Sequence, residues 1–407
     1  MLSMQKMEML RVAALRAGGY TELYIARVLG ISTTTVSNRL KQAEAEKYLL
    51  RQEPYILNRQ VLTAEQDAEL ENTVKRSSLQ EKLNRAISRY SESKSRSAPH
   101  PEAVVVPSGS ERVDPEGWKQ RLKRFGLEAA PTIRAAIAEA KGNNAGIAWG
   151  ATVASVVDEI EKLDRGNRLR PPVTFVPVCG EPLDTPLSRE SASQLCSRLD
   201  TAINLTHGHA LSLAALPALT PIEFASDSEK ATLLRLYRRV KHYDKIFGNS
   251  GNSTGLIDKL SVIVCSVGPE DRVWGYRSDD LLRSGGLKRE ELNKLVSGDV
   301  AGVLVPKAGQ WADERLSMIR DRHWNGLLLR SLVETVERAK AKTYPGVCVL
   351  ALGKNKSDFV FRCLGLCNDQ NEHVYVLNRL VVDDDLAQAL LVRLVTANKL
   401  GESKKTP

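Results

Sequence analysis

From residue 103 onward, short β-branched runs alternate with segments of helical periodicity, and this pattern constrains the fold most strongly. The strand candidates are 103–106, 145–149, 173–178, 262–267, 301–305, 346–352 and 373–382. The helix candidates lie near 130–140, 152–162, 190–204, 229–244, 326–342 and 384–397. Such alternation predicts an α/β domain with a mostly parallel sheet flanked by helices. Because ligands bind at the carboxyl ends of the strands in that architecture, the loops that follow the strands should hold the functional residues.

The length and composition are those of a globular protein. The chain has 407 residues, enough for two or three domains, with 42% hydrophobic and 26% charged residues. No run approaches ~18 consecutive apolar residues, and the N-terminus lacks the pattern of an export signal. The six cysteines stand in separate places, and the spacing of Cys363 and Cys367 is not that of a zinc site. We therefore expect a cytoplasmic protein whose reduced thiols lie in the core.

The positive charge is concentrated near the N-terminus. The net charge is +9, and residues 1–100 hold 16 Lys and Arg against 11 Asp and Glu, an excess of 5. More than half of the excess thus falls on the first quarter of the chain. This distribution makes the N-terminus the first place to look for a site that binds a polyanion.

The first fifty residues have the pattern of three short helices. Residues 4–16 carry apolar side chains at helical spacing, and Gly18-Gly19 ends that segment. A second helix is predicted over 21–29, and Gly30 supplies a residue that tolerates a left-handed turn. Ser32 is a good N-cap for the third helix. Three helices with a glycine turn between the second and third are typical of a helix-turn-helix unit.

The start of the third helix carries the side chains that would contact DNA. Hydroxyl and amide groups at this end suit base edges in a major groove, and two cations that follow suit phosphates. The predicted base-contacting residues are Thr33, Thr34, Thr35, Ser37 and Asn38, and the predicted phosphate-contacting residues are Arg39 and Lys41. The alternative is a plain three-helix packing module with a polar face.

The segment that follows predicts a connector. Residues 51–62 look extended and are interrupted by Pro54, and residues 64–90 are charged and helical in composition. That helix is either a dimer-forming helix or a solvated linker, and 91–102 is polar, rich in Ser and Pro, and flexible by composition. The predicted domains are a DNA-binding domain over 1–55, a linker over 56–102 and an α/β domain for effector binding and oligomerisation over 103–400.

Four loops after predicted strands suggest an anion site. A small turn at a helix N-terminus offers backbone amides and the positive end of the helix dipole, and a lysine there adds a full charge. The pattern of a P-loop is absent, which disfavours hydrolysis of ATP or GTP. Together the loops indicate a phosphorylated small molecule as the ligand. Their residues are Gly150, Ala151 and Thr152 in the first loop, Gly268 in the second, Asp299 in the third, and Gly353 and Lys356 in the fourth.

The chain resembles the SorC family of bacterial sugar-responsive transcription regulators over nearly its whole length. The resemblance lies in YIARVLGISTTTVSNRLKQA at the N-terminus, AVVVPS at 103–108, GIAWGATV at 146–153, VPVCG at 176–180, SGDVAG at 297–302, GVCVLALGKNK at 346–356 and VYVLNRLVVDDDLAQALL near the C-terminus. The sequence departs from the family pattern at Leu352, where a second glycine is usual, and at Ser261, where an aspartate is usual.

This resemblance implies a fold, an activity and a set of site residues. The α/β domain would be similar to sugar-phosphate isomerases, of the glucosamine-phosphate deaminase and ribose-phosphate isomerase type. It would sense a phosphorylated sugar, with Gly150 and Thr152 holding the phosphate and Asp299 and Lys356 contacting the ligand. The regulator would bind operator DNA as a dimer or tetramer, without a cofactor or a metal.

Two other functions are compatible with the sequence. One is a sugar-phosphate isomerase or deaminase with an appended DNA-binding domain, whose general base would be Asp299, Asp271 or Glu270. The other is a regulator whose α/β domain only oligomerises. His207-Gly208-His209 lacks a nearby third ligand for a metal, and Asp383-Asp384-Asp385 is typical of a charged helix N-terminus.

Overall fold

The N-terminal part of the chain is helical, as predicted. The structure is a computed structural model that describes residues 4–50, 55–94, 100–107, 115–140, 142–163, 168–181, 189–220, 226–248, 254–269, 289–307, 324–342, 344–368 and 372–403. Helices α1 (Met4–Ala17), α2 (Glu22–Leu29) and α3 (Thr33–Ala45) correspond to the three predicted helices.

The predicted caps set the ends of α2 and α3. The Thr21 side chain accepts a hydrogen bond from the Tyr24 amide at 3.3 Å, and the Ser32 hydroxyl accepts one from the Thr35 amide at 3.0 Å. Gly30 ends α2 with φ of 65°, in the left-handed region that glycine adopts without strain. The turn between the two helices therefore follows from local sequence.

The connector contains a small hairpin and a long helix. Strands β1 (Leu49–Leu50) and β2 (Ile56–Leu57) pair antiparallel, and a short 3₁₀ turn follows at Arg59–Val61. Thus only part of 51–62 is extended, and residues 51–54 lie outside the described residues.

Helix α4 (Ala64–Lys94) packs within the chain along much of its length. Leu70 joins the core of the N-terminal helices, whereas Leu83 and Ile87 lie in the core of the α/β domain. The helix is therefore not a solvated linker, because its apolar side chains bridge two cores. The stretch 91–102 was expected to be flexible, but its residues 91–94 belong to α4. Residues 95–99 of this stretch lie outside the described residues.

The α/β domain is built on a parallel sheet, as predicted. Within the described ranges the parallel strands are β3 (Glu102–Val106), β4 (Asn144–Ile147), β5 (Thr174–Pro177), β6 (Leu260–Pro269), β9 (Gly346–Ala351) and β10 (Arg379–Asp383). Their order across the sheet is β3-β10-β9-β6-β4-β5, and each neighbouring pair is parallel. Strands β7 (Val296–Val300) and β8 (Val303–Pro306) extend β6 as an antiparallel hairpin. The carboxyl ends of the parallel strands therefore meet at one edge.

Helices cover both faces of this sheet. The remaining helices of the described chain are, in order, α5 (Pro115–Glu139), α6 (Ala151–Ile160), α7 (Ala192–Ile203), α8 (Asp227–Tyr237), α9 (Tyr243–Phe247), α10 (Arg289–Leu295), α11 (Leu329–Lys342), α12 (Ser357–Leu364) and α13 (Asp384–Ser403).

Alternate residues of β9 show how the two layers form. Val347 and Val349 belong to the core that includes α4, α11, α12 and α13, whereas Cys348 and Leu350 belong to the core that includes α5, α6 and α7. Five of the six cysteines are buried free thiols, in agreement with the expectation of core thiols.

One predicted strand begins two residues too early. The segment 301–305 was expected to be a single strand, but residues 301 and 302 form the turn between β7 and β8. Ala301 and Gly302 have φ of 60° and 79°, and positive φ at both central residues defines the two-residue turn that matches strand twist. Strand β7 was not predicted, because its residues were assigned to the loop that contains Asp299.

Other predicted boundaries also shift. The closing strand begins at Arg379 rather than 373, and the helix expected over 130–140 is the C-terminal part of α5, with Pro131 inside it. The helix expected over 229–244 is interrupted, because His242 adopts a left-handed conformation with φ of 71° between α8 and α9.

Replacing Gly126 by Ala should destabilise the α/β domain. A Cβ atom at Gly126 in α5 would lie 2.3 Å from the carbonyl oxygen of Ser155 in α6, so the two helices would have to separate. Overpacking of this kind costs about 1–3 kcal/mol, which exceeds the gain of about 1 kcal/mol that alanine brings to a helix interior.

The measurement is thermal unfolding of the full chain by calorimetry. Gly18→Ala is the control, because the nearest atoms to its new Cβ lie at ordinary contact distances of 3.4 Å. Equal unfolding temperatures for the two variants would contradict close packing of α5 on α6.

Candidate nucleic-acid interface and ligand crevice

The start of α3 is accessible, as a DNA-contacting helix requires. Gly30 and Ser32 place it after a tight turn, and Val36 and Leu40 hold it against α1 and α2. Among the predicted DNA contacts, the exposed residues are Thr33, Thr34, Asn38 and Lys41, and the partly exposed residues are Thr35, Ser37 and Arg39.

Arg39 and Lys41 differ in their surroundings. Arg39 Nε donates to Glu8 Oε1 at 2.7 Å, and its Nη1 donates to Gln42 Oε1 at 3.1 Å. This ion pair partly neutralises the guanidinium and ties it to α1. Lys41 is exposed, so it is the better placed of the two cations for a phosphate.

The helix-turn-helix rests on the rest of the chain without covering the start of α3. Arg11 of α1 donates to both carboxylate oxygens of Glu128 at 3.2 Å and to Glu69 at 3.0 Å. Tyr24 donates to the carbonyl oxygen of Ser77 at 3.2 Å. The surface that docks on α4 and α5 is thus separate from the predicted DNA contacts.

The first predicted ligand loop lies at the carboxyl end of β4. Gly150 has φ of 119° and precedes α6, and its amide donates to the carbonyl oxygen of Glu190 at 3.0 Å. The amides of the first turn of a helix have no intrahelical acceptor, which leaves those of Ala151 and Thr152 for a ligand. A Cβ atom at Gly150 would lie 3.3 Å from Ser266 Oγ, so this loop adjoins the end of β6.

Gly268 and Asp299 are paired in a sheet and do not lie in loops. Strand β6 continues to Pro269, and Gly268 is the antiparallel partner of Asp299 in β7. Asp299 is buried, and its Oδ1 accepts the Gly302 amide at 3.0 Å. Loop placement was therefore wrong for both, because the sequence did not show that β6 runs on into a hairpin.

Gly353 and Lys356 follow β9, as predicted. Gly353 has φ of 98° and is buried, and Lys356 lies half-buried in the 3₁₀ turn that precedes α12. The Gly353 amide donates to Asp383 Oδ1 at 3.0 Å. Since β9 lies beside both β6 and β10, this loop reaches the same edge of the sheet as Gly150.

Asp383, which the sequence analysis placed at a charged helix N-terminus, also organises the loop after β9. It is completely buried at the end of β10, where Oδ1 also accepts the Leu386 amide at 3.2 Å and Oδ2 accepts Arg121 Nη2 at 2.6 Å. Burial raises the pKa of its carboxyl group, while hydrogen bonds from Gly353 and Arg121 oppose that rise. Asp384 and Asp385 lie in the first turn of α13 and Asp383 directly precedes it, so the triplet stands at a helix N-terminus, as predicted.

A second buried carboxylate lies past the end of β5. Glu181 is 2% exposed, and its Oε1 accepts the Ser193 amide at 3.1 Å at the N-terminus of α7. Burial raises the pKa of Glu181, and hydrogen bonds from Ser193 and Ser191 lower it. A single glutamate directly after an apolar strand carries no sequence signal that would reveal this burial.

The histidine pair weighed for metal binding lies beside hydrogen-bonding groups of its own loop. His209 contacts the Thr206 hydroxyl at 3.2 Å, and the amides of Gly208 and His209 donate to Asp200. Across the described residues no group of three His, Cys, Asp or Glu side chains could hold a metal ion. Glu270 and Asp271 lie outside the described residues.

A separate open groove of about 890 Å³ lies between α4, α5 and α13. It is lined by cations and anions in nearly equal number, which gives no preference for a phosphate. The charged lining residues are Lys75, Arg76, Lys82, Arg124, Glu69, Asp384 and Asp385.

The chain thus joins three N-terminal helices with a helix-turn-helix pattern to a mostly parallel α/β sheet. The full-length sorbitol operon regulator SorC from Klebsiella pneumoniae is similar to this chain, with a TM-score of 0.51 and 19% identity over 94% of this chain and 98% of that chain. The chain therefore has the fold of a SorC-type regulator, including the N-terminal helices.

Two other solved structures are similar over a smaller share of the chain. A probable sor operon regulator from Shigella flexneri matches 77% of this chain and 98% of that chain, at 17% identity and a TM-score of 0.49. A domain of a possible sugar-binding transcriptional regulator from Arthrobacter aurescens TC1 matches 77% and 96%, at 18% identity and a TM-score of 0.47. No protein-family model and no curated protein matches the sequence. Within the part of the chain that is described, no helix has the length and apolarity to cross a membrane.

Replacing Asp383 by Ala should destabilise the α/β domain by about 3–5 kcal/mol, because Arg121 would keep its charge in a half-buried place without its fully buried partner. Asp385→Ala is the control. It removes the other carboxylate that contacts Arg121, at 2.8 Å, but this side chain is 44% exposed and should contribute less than about 1 kcal/mol.

Urea unfolding of both variants, followed by circular dichroism, measures the difference. If the two substitutions lower the free energy of unfolding equally, burial of Asp383 does not add to the stability of the fold.

Proposed function

We propose that this protein is a DNA-binding transcription regulator whose affinity for DNA is modulated by a small molecule bound in the α/β domain. The observation that carries this proposal is the likeness to full-length SorC, because it spans 94% of this chain and includes both the N-terminal helices and the α/β domain. The exposed polar start of α3 supports DNA as one partner.

The features of the crevice support a phosphorylated sugar as the effector. Gly150, Ala151 and Thr152 form a turn at a helix N-terminus, where amides and the helix dipole favour an anion. Lys356 adds a cation from the loop after β9, at the same edge of the sheet. In this proposal the domain is related to sugar-phosphate isomerases but acts as a sensor and not as an enzyme, and the regulator works as a homo-oligomer. In this proposal Asp299 contacts the ligand at the edge of the sheet where the parallel strands end.

Some residues of α3 should contact DNA bases and set the sequence preference, and others should contact only the DNA phosphates. Asn38→Ala should cost about 1–3 kcal/mol on a preferred duplex and relax sequence preference, because an amide is lost from a base edge. Lys41→Ala should weaken binding to every duplex similarly. It should also reduce the slope of log affinity against log salt concentration by about 1.

Fluorescence anisotropy with a duplex enriched from a randomised library, and with random duplex, measures both effects. Lys399→Ala, an exposed lysine of α13, is the control and should leave both affinities unchanged. Equal loss on enriched and random duplex for Asn38→Ala would contradict its assignment to a base.

The effector should stabilise the full chain against heat. A ligand at ~100 times its dissociation constant adds about 2.7 kcal/mol to the free energy of unfolding, because it binds only the folded state. Glucose 6-phosphate, fructose 6-phosphate and ribose 5-phosphate, each compared with the free sugar, test the phosphate preference. Thr152→Ala and Lys356→Ala should abolish the shift.

Lys354→Ala is the matched control, because Lys354 lies in the same 3₁₀ turn but is exposed and outside the predicted site. A flat response of the native chain to the whole panel would reject a phosphorylated sugar and favour a domain that serves assembly alone.

A further inference from the structure

One face of α5 carries its contacts with Asp383 and with the N-terminal helices. Residues spaced by three or four positions lie on the same side of a helix, one turn after another. On α5 this stripe contains Arg121, Arg124, Glu128 and Pro131, and the opposite face is buried against α6 and the sheet.

At its N-terminal part, α5 is tied to the loop after β9. Arg121 donates to Asp383 Oδ2 at 2.6 Å, and Asp383 Oδ1 holds the Gly353 amide at 3.0 Å. Because Asp383 is completely buried, this chain of contacts is shielded from water, and a shift of the Gly353 loop has to move the Arg121 side chain or break the pair.

The same part of α5 also touches the helix that carries the Gly150 turn. A Cβ atom at Gly126 would lie 2.3 Å from the Ser155 carbonyl oxygen, and the Ser155 hydroxyl donates to the Thr152 carbonyl oxygen at 2.8 Å. Both predicted phosphate loops are therefore in mechanical contact with α5.

Two turns further along, α5 is tied to the helix-turn-helix. Glu128 accepts two hydrogen bonds of 3.2 Å from Arg11, a bidentate pair with fixed geometry. Next to it, a Cβ atom at Gly30 would lie 3.2 Å from Pro131 Cβ, so the proline packs on the turn that precedes α3.

We propose that α5 is the element that couples ligand binding in the crevice to the orientation of α3. This inference rests on the proposed function and names the route of its regulation. The helix rises 1.5 Å per residue, so Arg121 and Pro131 are about 15 Å apart on one rigid rod. A ligand that shifts the Gly353 or Gly150 loop displaces α5, and the Glu128–Arg11 pair passes the displacement to α1.

The other contacts between the N-terminal helices and the body of the chain do not use α5, and they supply the controls. Arg27 of α2 pairs with Glu102 of β3 at 3.4 Å, and Tyr24 donates to Ser77 of α4. If coupling required only that the helix-turn-helix be docked, loss of the Arg27 pair would weaken it as much as loss of the Glu128 pair.

The experiment compares duplex affinity with and without sugar phosphate in four full-length proteins: the native chain, Arg11→Ala, Glu128→Gln and Arg27→Ala. The duplex is the one enriched from a randomised library, and the sugars are glucose 6-phosphate, fructose 6-phosphate and ribose 5-phosphate. Thermal unfolding is measured in parallel, so that binding of the sugar and folding of each variant are known independently of DNA.

The native chain should change its duplex affinity by about 5–150-fold with the sugar that stabilises it. In Arg11→Ala and Glu128→Gln the ratio of duplex affinities with and without sugar should fall below about twofold. The rise in unfolding temperature with sugar should stay as in the native chain. Arg27→Ala should keep the native ratio. A native ratio in both α5-contact variants overturns the inference and leaves the proposed function standing.

If no sugar changes the duplex affinity or the stability of the native chain, the proposed effector class is rejected, and amide hydrogen exchange tests the coupling with duplex alone. Coupling between sites is reciprocal, so duplex should alter exchange of the Gly353 and Leu386 amides in the native chain and not in Glu128→Gln. Unchanged exchange in the native chain overturns the inference.

Discussion

The whole structure depends on a parallel sheet that has to be buried on both faces. Parallel strands expose no face to water, because the crossover helices that connect them pack above and below. In β9 this requirement sends alternate apolar residues into two separate cores. It also gathers the carboxyl ends of all parallel strands at one edge, where the loops that start at Gly150 and Gly353 stand on either side of β6. The candidate ligand crevice is thus a consequence of how the sheet is covered.

Covering the sheet also decides how the N-terminal helices are attached. Helix α4 shares one end with the helix-turn-helix core and the other with the core of the α/β domain. Helix α5 closes the opposite layer and reaches the first helix of the chain through Glu128 and Arg11. The two functional regions are therefore joined by packed helices and half-buried ion pairs, and not by a flexible tether alone.

Local signals in the sequence predicted more of the fold than of the site. Caps at Thr21 and Ser32 and the glycine turn at Gly30 located the N-terminal helices, since each depends on residues within one turn. The hairpin at Ala301 was missed because an alanine with positive φ has no distinctive local pattern. Asp299 was assigned to a loop for the same reason.

The sequence by itself determined the helix-turn-helix, the parallel sheet and the loops after β4 and β9, because periodicity, caps and glycines act over a few residues. Only the tertiary structure decided that Asp383 joins the Gly353 loop to Arg121, which lies 262 positions away in the chain. It likewise decided that Arg39 is tied to Glu8 and that α5 lies between the crevice and α1. Burial and pairing of charges depend on which distant segments pack together, and no local pattern encodes that choice.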